Sequence, residues 1–202
     1  MNTTIVLGTR NRKKLVELRP LLADLPLELV DVGTFPNVGE IVEDGRTFLA
    51  NAEKKAVGVA QATQHWTLAE DSGLVVPALG GEPGVDSALY AGTHGADEAN
   101  NNLLISRVAN LLEDQRDAHY VCVAVLCDPT GKVIAHTEGR CHGRILTERR
   151  GPGGFGYDPL FLIPEYHQTF GELSLLVKQA LSHRAKAITA LRPALIRHLL
   201  TR

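Results

Sequence analysis

The chain has 202 residues, of which 44% are hydrophobic and 22% charged, so it has the composition of an ordinary globular protein and is long enough to bury a core. Its 21 Lys and Arg against 23 Asp and Glu give a formal net charge of -2, which argues against a protein that holds nucleic acid by overall positive charge. No run approaches the roughly 18 apolar residues of a membrane span, and the first residues lack the apolar core of a signal peptide. We therefore expect a cytoplasmic protein with no nucleic-acid or membrane partner.

The first half of the chain predicts strands that alternate with helices. Apolar residues 5–7 lead through a Gly8 turn into a helix, for which Asn11 is the expected N-cap. The segment 66–69 predicts a short strand that ends at Glu70-Asp71-Ser72-Gly73. The remaining elements predicted here are a strand at 27–32 and helices at 47–62 and 97–112.

The second half contains the clearest hairpin, in which the turn Asp128-Pro129-Thr130-Gly131 joins strands at 120–126 and 132–136. The region 173–202 predicts helix with a break at Pro193, because proline removes a backbone donor. With no repeat and no long linker, we predict one domain over 1–202. Its predicted fold class is α/β, with a mixed central sheet flanked by helices.

The three cysteines are not expected to form a metal site. Cys122 and Cys127 lie in an apolar run, where they act as small hydrophobes, and only Cys141-His142 hints at metal ligands. Metal-binding clusters need further ligands at matched spacing, which this sequence does not offer.

The run Thr9-Arg10-Asn11-Arg12-Lys13-Lys14 is a candidate phosphate-binding segment. Backbone N–H groups and the dipole at a helix N-terminus favour anions, and a lysine in the first turn adds positive charge. The glycines of a Walker A loop are absent. The alternative interpretation is a capped helix with a solvated basic face.

The run Glu70-Asp71-Ser72-Gly73 is a candidate Mg²⁺ site. Magnesium prefers carboxylate oxygens and keeps several waters, so one or two acids beside a phosphate site suffice. The alternative is an ordinary turn, since Asp, Ser and Gly are common turn residues.

Two further segments carry residues suited to a nucleotide. In Gly153-Gly154-Phe155-Gly156-Tyr157-Asp158-Pro159, glycines permit close backbone approach and an aromatic ring offers a stacking face for a base. Lys178 and Ser182-His183-Arg184 place cationic donors on a helical segment. Their alternatives are an aromatic-anchored loop and a solvated helix face.

Together these segments resemble the Ham1 family of non-canonical purine nucleoside triphosphate pyrophosphatases, also called inosine triphosphatase-like or XTP/dITP diphosphatases. The matching runs occur in family order along nearly the whole chain. Besides the four segments above they are Thr47-Phe48, Asn51-Ala52, Asp71-Ser72-Gly73-Leu74 and Pro83-Gly84.

The resemblance implies a homodimer with two lobes around a nucleotide-binding cleft, which uses Mg²⁺ to hydrolyse ITP, dITP and XTP to the monophosphate and pyrophosphate. It makes Asp71 both the general base and a magnesium ligand. It places Phe155 on the base and the helix-start residues on the phosphates, while His183 and Arg184 read the base edge. The substrate-binding residues it implies are Thr9, Arg10, Asn11, Arg12, Lys13, Lys14, Ser72, Phe155, Gly156, Tyr157, Asp158, Lys178, His183 and Arg184.

The chain departs from the family pattern at three positions. Ala50 stands where the family usually has an acid that helps to hold the metal, with Glu70 or Glu53 as possible substitutes. Val177 replaces a common Glu and Leu89 a common Arg. Two alternatives therefore stay open, namely a nucleotide-binding protein with impaired catalysis and a Maf-like pyrophosphatase with another base preference.

Overall fold

The computed structural model describes residues 3–200, in which seven strands form one sheet and five α-helices accompany them. The strands are β1 Thr3–Leu7, β2 Leu27–Asp31, β3 Trp66–Val75, β4 Asp117–Cys127, β5 Val133–Ile145, β6 Phe161–Ile163 and β7 Gln168–Thr169. The helices are α1 Arg12–Leu22, α2 Phe48–Thr63, α3 Asp97–Val108, α4 Leu175–Leu181 and α5 His183–Leu195. Short 3₁₀ turns occupy Val32–Thr34, Pro77–Leu79, Gly84–Asp86, Glu113–Arg116 and Pro164–Tyr166, and a π-helical turn occupies Ile196–Leu200.

The sheet is mixed, as the sequence predicts. Its strand order is β2-β1-β3-β4-β5-β6-β7. β1 pairs in parallel with both β2 and β3, whereas β6 pairs antiparallel with β5 and with β7. Parallel neighbours require crossover connections, which α1 and α2 supply. The predicted α/β class with a mixed central sheet is confirmed.

The predicted end of the third strand before Glu70 is wrong. β3 continues without interruption from Trp66 to Val75, so Glu70 and Asp71 lie in the middle of a strand. Successive residues of a strand point to opposite faces, and here both faces are covered at the two acids. The prediction relied on Asp, Ser and Gly as turn-forming residue types. It failed because partners from other elements hold the two acidic side chains within the strand.

The predicted break at Pro193 is also wrong. α5 runs through Pro193 to Leu195 before it changes to the π-helical turn. The interruption lies instead at Ser182, whose extended backbone (φ -66°, ψ 154°) ends α4 just before α5 begins. A proline in a helix removes one hydrogen bond, and the apolar contacts of α5 are sufficient to carry the helix past it.

The chain divides into two compact units. The first comprises Met1–Asp71, Cys122–Gly139 and His183–Arg202, and the second comprises Ser72–Val121 and Arg140–Ser182. The first has an apolar core to which β1, α1 and α5 contribute Leu7, Leu18 and Leu191, among others. In the second, the ring of Phe161 lies 4.7 Å from that of Tyr120 and 5.2 Å from that of Phe170, measured between centroids.

Several local predictions are confirmed. Asn11 caps α1, since its side chain accepts hydrogen bonds from the backbone N–H groups of Lys13 (2.9 Å) and Lys14 (3.3 Å). Asp128 organises the hairpin turn by accepting from the N–H groups of Thr130 and Lys132. All three cysteines are buried and unbridged. Within residues 3–200, no helix combines the length and apolarity that crossing a membrane requires.

One glycine of the first unit brings a strand and a helix into backbone contact. A Cβ atom added to Gly139 in β5 would lie 2.2 Å from the carbonyl oxygen of His183 and 2.4 Å from the amide nitrogen of Ala187. Only a residue without a side chain fits there. Gly139 therefore sets the position of the first turn of α5, which carries Arg184.

Candidate active site

The predicted phosphate-binding segment forms the turn from β1 into α1. Thr9 Oγ1 accepts from the N–H of Asn11 at 3.2 Å, and Asn11 in turn caps the helix. Arg10 extends away and donates to the carbonyl oxygens of Val38 and Gly39. The helix start thus combines hydroxyl, amide and ammonium groups, an arrangement that favours an anion.

Lys14 belongs to a charged cluster, which we define as Lys14, Glu17, Glu70 and Arg184. Lys14 Nζ lies 2.9 Å from Glu70 Oε1. The Arg184 guanidinium, 1% exposed, bonds Glu17 through one terminal nitrogen and lies 3.3 Å from Glu70 Oε1 through the other. A carboxylate this deeply buried is tolerable only when cations compensate it, and Glu70 has two.

The charged cluster sets the ionisation of Glu70. Burial alone would raise the pKa of Glu70, but the positive charges of Arg184, Lys14 and Lys55 outweigh it and hold that pKa well below its ordinary value. The neighbouring Cys122 thiol, which donates to Glu70 Oε2 at 3.3 Å, has its pKa raised by burial and by the Glu70 charge. Glu70 is therefore an anion and Cys122 a neutral thiol.

Asp71 lies in a second group of polar side chains, the Asp71 cluster, which consists of Glu43, Asn51, Lys55 and Asp71. Asn51 Nδ2 donates to Asp71 Oδ2 at 3.2 Å, while Asn51 Oδ1 accepts from the N–H of Gly45 at 2.7 Å. Lys55 Nζ lies 3.5 Å from Asp71 Oδ1 and also bonds Glu43. One amide and one ammonium thus orient the carboxylate for which the family resemblance implies the role of general base.

Burial raises the pKa of Asp71, although Lys55 and Lys14 oppose the effect and Glu43 and Glu70 reinforce it. The pKa of Lys55 is raised because the attraction of Asp71, Glu43 and Glu70 exceeds the cost of its burial. Lys55 therefore stays protonated between two carboxyl groups. A carboxylate with a raised pKa is a stronger proton acceptor than an ordinary aspartate, which suits a base that activates water.

Of the two acids that the sequence offers as substitutes at the metal, Glu53 lies half-buried on α2. The other is Glu70, and the structure adds Glu43 as a third. Glu70 is engaged by Arg184 and Lys14, whereas Glu43 shares the Lys55 ammonium with Asp71. Among residues 3–200 no group of three His, Cys, Asp or Glu side chains is arranged to hold a metal ion. Asp71 with one further acid still fits Mg²⁺, which takes few protein ligands and completes its shell with water and substrate phosphates.

In the second unit, residues 153–159 form the aromatic loop. Asp158, 2% exposed, accepts from the N–H of Phe155 at 2.7 Å and from Lys178 Nζ at 2.6 Å. The Lys178 ammonium lies 4.7 Å from the centroid of the Phe155 ring. The loop therefore presents a half-buried aromatic ring next to a cation whose charge a buried carboxylate compensates.

The structure places the other predicted residues as follows. Tyr157 is buried and donates through its hydroxyl to the carbonyl oxygen of Ser87 at 2.8 Å, so it anchors the aromatic loop. Arg12 and Lys13 are exposed on α1, and Ser72 is half-buried. His183 is 4% exposed at the start of α5.

Sequence reasoning missed Glu43 and Lys55, and it gave Asn51 only as part of a family motif without a role. A signal was available, because Asn51 and Lys55 are four residues apart and so share a face of α2 with the buried Ala52 and Ala56. Two polar residues on an otherwise apolar face require partners. Glu43 carried no such signal, since it lies in a loop without periodicity.

Comparisons with known proteins connect this chain with one family. The model of the Ham1 family matches residues 5–194. The dITP/XTP pyrophosphatase of Rhodopirellula baltica is 54% identical over 193 residues, which cover 96% of this chain and 93% of that protein. The dITP/XTP pyrophosphatase of Desulforamulus reducens is 48% identical over 185 residues, which cover 91% of each.

Solved structures give the same result. A HAM1 protein from Coxiella burnetii matches with a TM-score of 0.87 and 36% identity, over 96% of this chain and 99% of that one. The Staphylococcus aureus Ham1 protein matches with a TM-score of 0.84 and 34% identity, over 96% and 98% respectively. Because both the sequence and the fold match over almost the full length, this chain belongs to the Ham1 family.

Proposed function

We propose that this protein hydrolyses the non-canonical purine nucleoside triphosphates ITP, dITP and XTP to the monophosphate and pyrophosphate, which removes them from the nucleotide pool. The observation that carries the proposal is the orientation of Asp71 by Asn51 and Lys55, in a chain whose relatives are named dITP/XTP pyrophosphatases. Activation of water requires an oriented carboxylate, whereas the binding of a nucleotide alone does not require one.

We assign the phosphates to the first unit. Thr9, Asn11 and the exposed Arg12 and Lys13 lie at or beside the N-terminus of α1, where the backbone N–H groups attract anions. Lys14 adds an ammonium group whose direction Glu70 fixes. These residues bind the triphosphate and stabilise the charge of the departing pyrophosphate.

The hydrolytic step is assigned to Asp71, which accepts the proton of the water that attacks the phosphorus nearest the sugar. Asn51 and Lys55 hold its carboxylate in place. Asp71 would also hold Mg²⁺, and Glu43, which shares the Lys55 ammonium with it, is our candidate for a second acid. The ion would neutralise phosphate charge. No covalent intermediate on Ser or Cys is required.

We assign stacking on the base to the second unit. Phe155 offers a stacking face in a pocket that Gly156, Tyr157 and Asp158 shape. Ser72 and Lys178 contact the nucleotide. His183 and Arg184 are proposed to donate to the 6-carbonyl of hypoxanthine or xanthine, which is an acceptor, whereas adenine carries an amino donor there. Sites built on such pairing reject the wrong partner by as much as roughly 10⁴-fold.

We further propose that the protein is a homodimer and acts in the cytoplasm, where nucleotides are supplied for nucleic-acid synthesis. Multi-angle light scattering tests the first point, since a dimer has twice the 21.9 kDa mass of one chain. Fluorescence microscopy of a tagged chain in its own cell tests the second.

The deciding experiment measures pyrophosphate release with Mg²⁺ from the inosine, xanthosine, adenosine, guanosine, cytidine and uridine triphosphates. We expect kcat/KM for inosine and xanthosine triphosphates to exceed that for adenosine triphosphate by orders of magnitude. Binding without pyrophosphate release would favour the impaired nucleotide-binding protein, for which the absent acid at Ala50 is the argument. A preference for pyrimidine nucleotides would favour the Maf-like alternative.

A further inference from the structure

Gly156, in the aromatic loop, is held on both sides of its backbone by side chains of α3. Its N–H donates to Asp97 Oδ2 at 3.0 Å, and its carbonyl oxygen accepts from Asn101 Nδ2 at 2.8 Å. The same Asn101 amide group donates to the carbonyl oxygen of Asp97 at 2.6 Å. Asp97 and Asn101 lie one helical turn apart, so both reach the loop from one face of α3.

These bonds fix the backbone around Phe155. The peptide group before it is held by Asp158, which accepts from the Phe155 N–H at 2.7 Å. The peptide group after it is held by Asp97, which accepts from the Gly156 N–H. With both flanking peptide planes fixed, the direction in which Phe155 leaves the backbone is fixed as well.

Gly156 also adopts a conformation that only glycine adopts readily, with φ +59°. Glycine has the largest backbone freedom to lose, so a loop with glycines at 153, 154 and 156 needs external bonds to hold one shape. Asn101, 3% exposed, supplies such a bond from a rigid element rather than from the loop itself. No base-contacting role for α3 is required.

We propose that Asp97 and Asn101 are positioning residues, which hold Phe155 in the orientation for base stacking and thereby set the affinity for the base-bearing part of the substrate. This inference rests on the proposed function, since it assumes a nucleotide whose base stacks on Phe155. Preorganisation of this kind raises affinity because the ordering of the loop does not have to occur on binding.

The test compares Asn101→Leu, which removes both donated bonds at similar volume, with Asn102→Leu, the same change at the exposed next position of α3. We expect Asn101→Leu to raise KM for inosine triphosphate by about tenfold, in line with the loss of part of one base stack. We expect kcat to change by much less and Asn102→Leu to stay near wild type. Asp97→Asn keeps an acceptor oxygen for Gly156 and is expected to retain most of the affinity, whereas Asp97→Ala is not.

A ligand without a base distinguishes a positioning role from a general defect in the folded protein. Isothermal titration calorimetry is done with inosine triphosphate and with inorganic tripolyphosphate on each variant. We expect only the former to weaken in Asn101→Leu. Equal weakening of both ligands, or unchanged affinity for both in a folded variant, would overturn the inference.

A double-mutant cycle sharpens the result. In a Phe155→Ala background, Asn101→Leu should add no further loss of affinity for inosine triphosphate, because the ring it positions is gone. Additive losses would contradict the inference. If Asn101→Leu does not fold, Asn101→Ser takes its place in both experiments, since the smaller side chain is too short to span to Gly156.

Failure of the proposed function is visible separately. A wild-type protein that releases no pyrophosphate from any purine triphosphate refutes the function, while calorimetry with inosine triphosphate still decides whether α3 affects the base.

Discussion

In the first unit the acidic side chains are held by charged and amide side chains, whereas in the second unit the aromatic loop is held mainly through its backbone. Glu70 and Asp71 are neighbours on β3, yet each has its own set of partners, Arg184 with Lys14 for one and Lys55 with Asn51 for the other. In the aromatic loop, Phe155 itself is positioned through the N–H groups on either side of it.

The difference separates two tasks. Charged partners fix both the position and the ionisation of a carboxylate, as the opposite pKa shifts of Glu70 and Asp71 show. Backbone bonds fix the direction of a ring whose face stays open to a ligand. We therefore expect substitutions in the first unit to affect chemistry and stability, and substitutions in the aromatic loop to affect recognition.

Asp71→Asn should have the largest effect. The amide keeps the shape of the carboxylate but loses its charge and its ability to accept a proton, so kcat should fall by about 10²–10⁴-fold or more. Affinity for inosine triphosphate should remain measurable by calorimetry. Near-normal turnover in a folded Asp71→Asn protein would assign the general-base role to another residue.

Arg184→Ala should have the next largest effect, on stability. The substitution removes the guanidinium that pairs with the buried Glu17, and of the two ion pairs of Glu70 it leaves the one with Lys14. We therefore expect a loss of about 3–5 kcal/mol in the free energy of unfolding. Urea denaturation measures it. Arg192→Ala is the matched control, because Arg192 is also on α5 but pairs with the exposed Asp24, and it should stay close to wild type. Similar losses in the two variants would contradict the special role of the charged cluster.

If enough Arg184→Ala protein folds, its substrate preference tests base reading. We expect the preference for inosine over adenosine triphosphate to narrow through a loss in kcat/KM for the inosine nucleotide. An unchanged preference would leave Arg184 with the structural task alone.

Lys14→Ala in the first unit and Phe155→Ala in the second should differ in which ligands they weaken. Lys14→Ala removes a positive charge and should weaken tripolyphosphate and inosine triphosphate alike, whereas Phe155→Ala should weaken only the nucleotide, by roughly 1–3 kcal/mol. Calorimetry with both ligands gives the comparison. The same pattern in both variants would mean that the division of tasks is wrong.

The ionisation of Glu70 should appear as a pH-dependent stability. Its pKa in the folded protein is well below the ordinary value of 4.5, so its contribution is fully present above that value and is lost as the pH falls toward the folded pKa. The difference in unfolding free energy between wild type and Glu70→Gln should therefore be constant from pH 8 to about 6 and shrink below about 4.5. A difference that persists unchanged to pH 3 would show that the Glu70 charge contributes nothing.

Ala50→Glu should have the smallest effect. Ala50 lies in the first turn of α2, where an acidic side chain interacts favourably with the helix dipole by about 0.3–1 kcal/mol. If the acid usual in the family also assists the metal, the Mg²⁺ concentration for half-maximal activity should fall in this variant. Identical Mg²⁺ titrations would mean that another residue, for which Glu43 is our candidate, already has that role.

Local signals in the sequence were sufficient for much of the fold. The cap at Asn11 and the turn at Asp128 depend on residues within a few positions, so their side chains reveal them directly. The continuation of β3 through Glu70 and Asp71 could not be predicted in this way. What stabilises two acids in a strand is a set of cations from α1, α2 and α5, which are distant in sequence.

The same limit applies to the candidate site. The sequence indicated Asp71, Lys14 and Arg184, but the pairing of Arg184 with Glu17 spans 167 residues and leaves no local pattern. Asn51 was visible only as part of a motif, without its bonds to Asp71 and Gly45. Residue types thus predict the chemistry of a site, while its geometry requires the fold.

The close contact at Gly139 restricts the substitutions that this chain can accept during evolution. A side chain there would push against the backbone of His183 and Ala187, and so would move Arg184 relative to Glu70 and Glu17 without touching any of the three. A change that looks minor, such as Gly139→Ala, would act on all the pairings of Arg184 at once. The substitutions that position 139 tolerates therefore depend on α5, which begins about 45 residues further along the chain. A side chain at position 139 would be tolerated only after another substitution had loosened the start of α5.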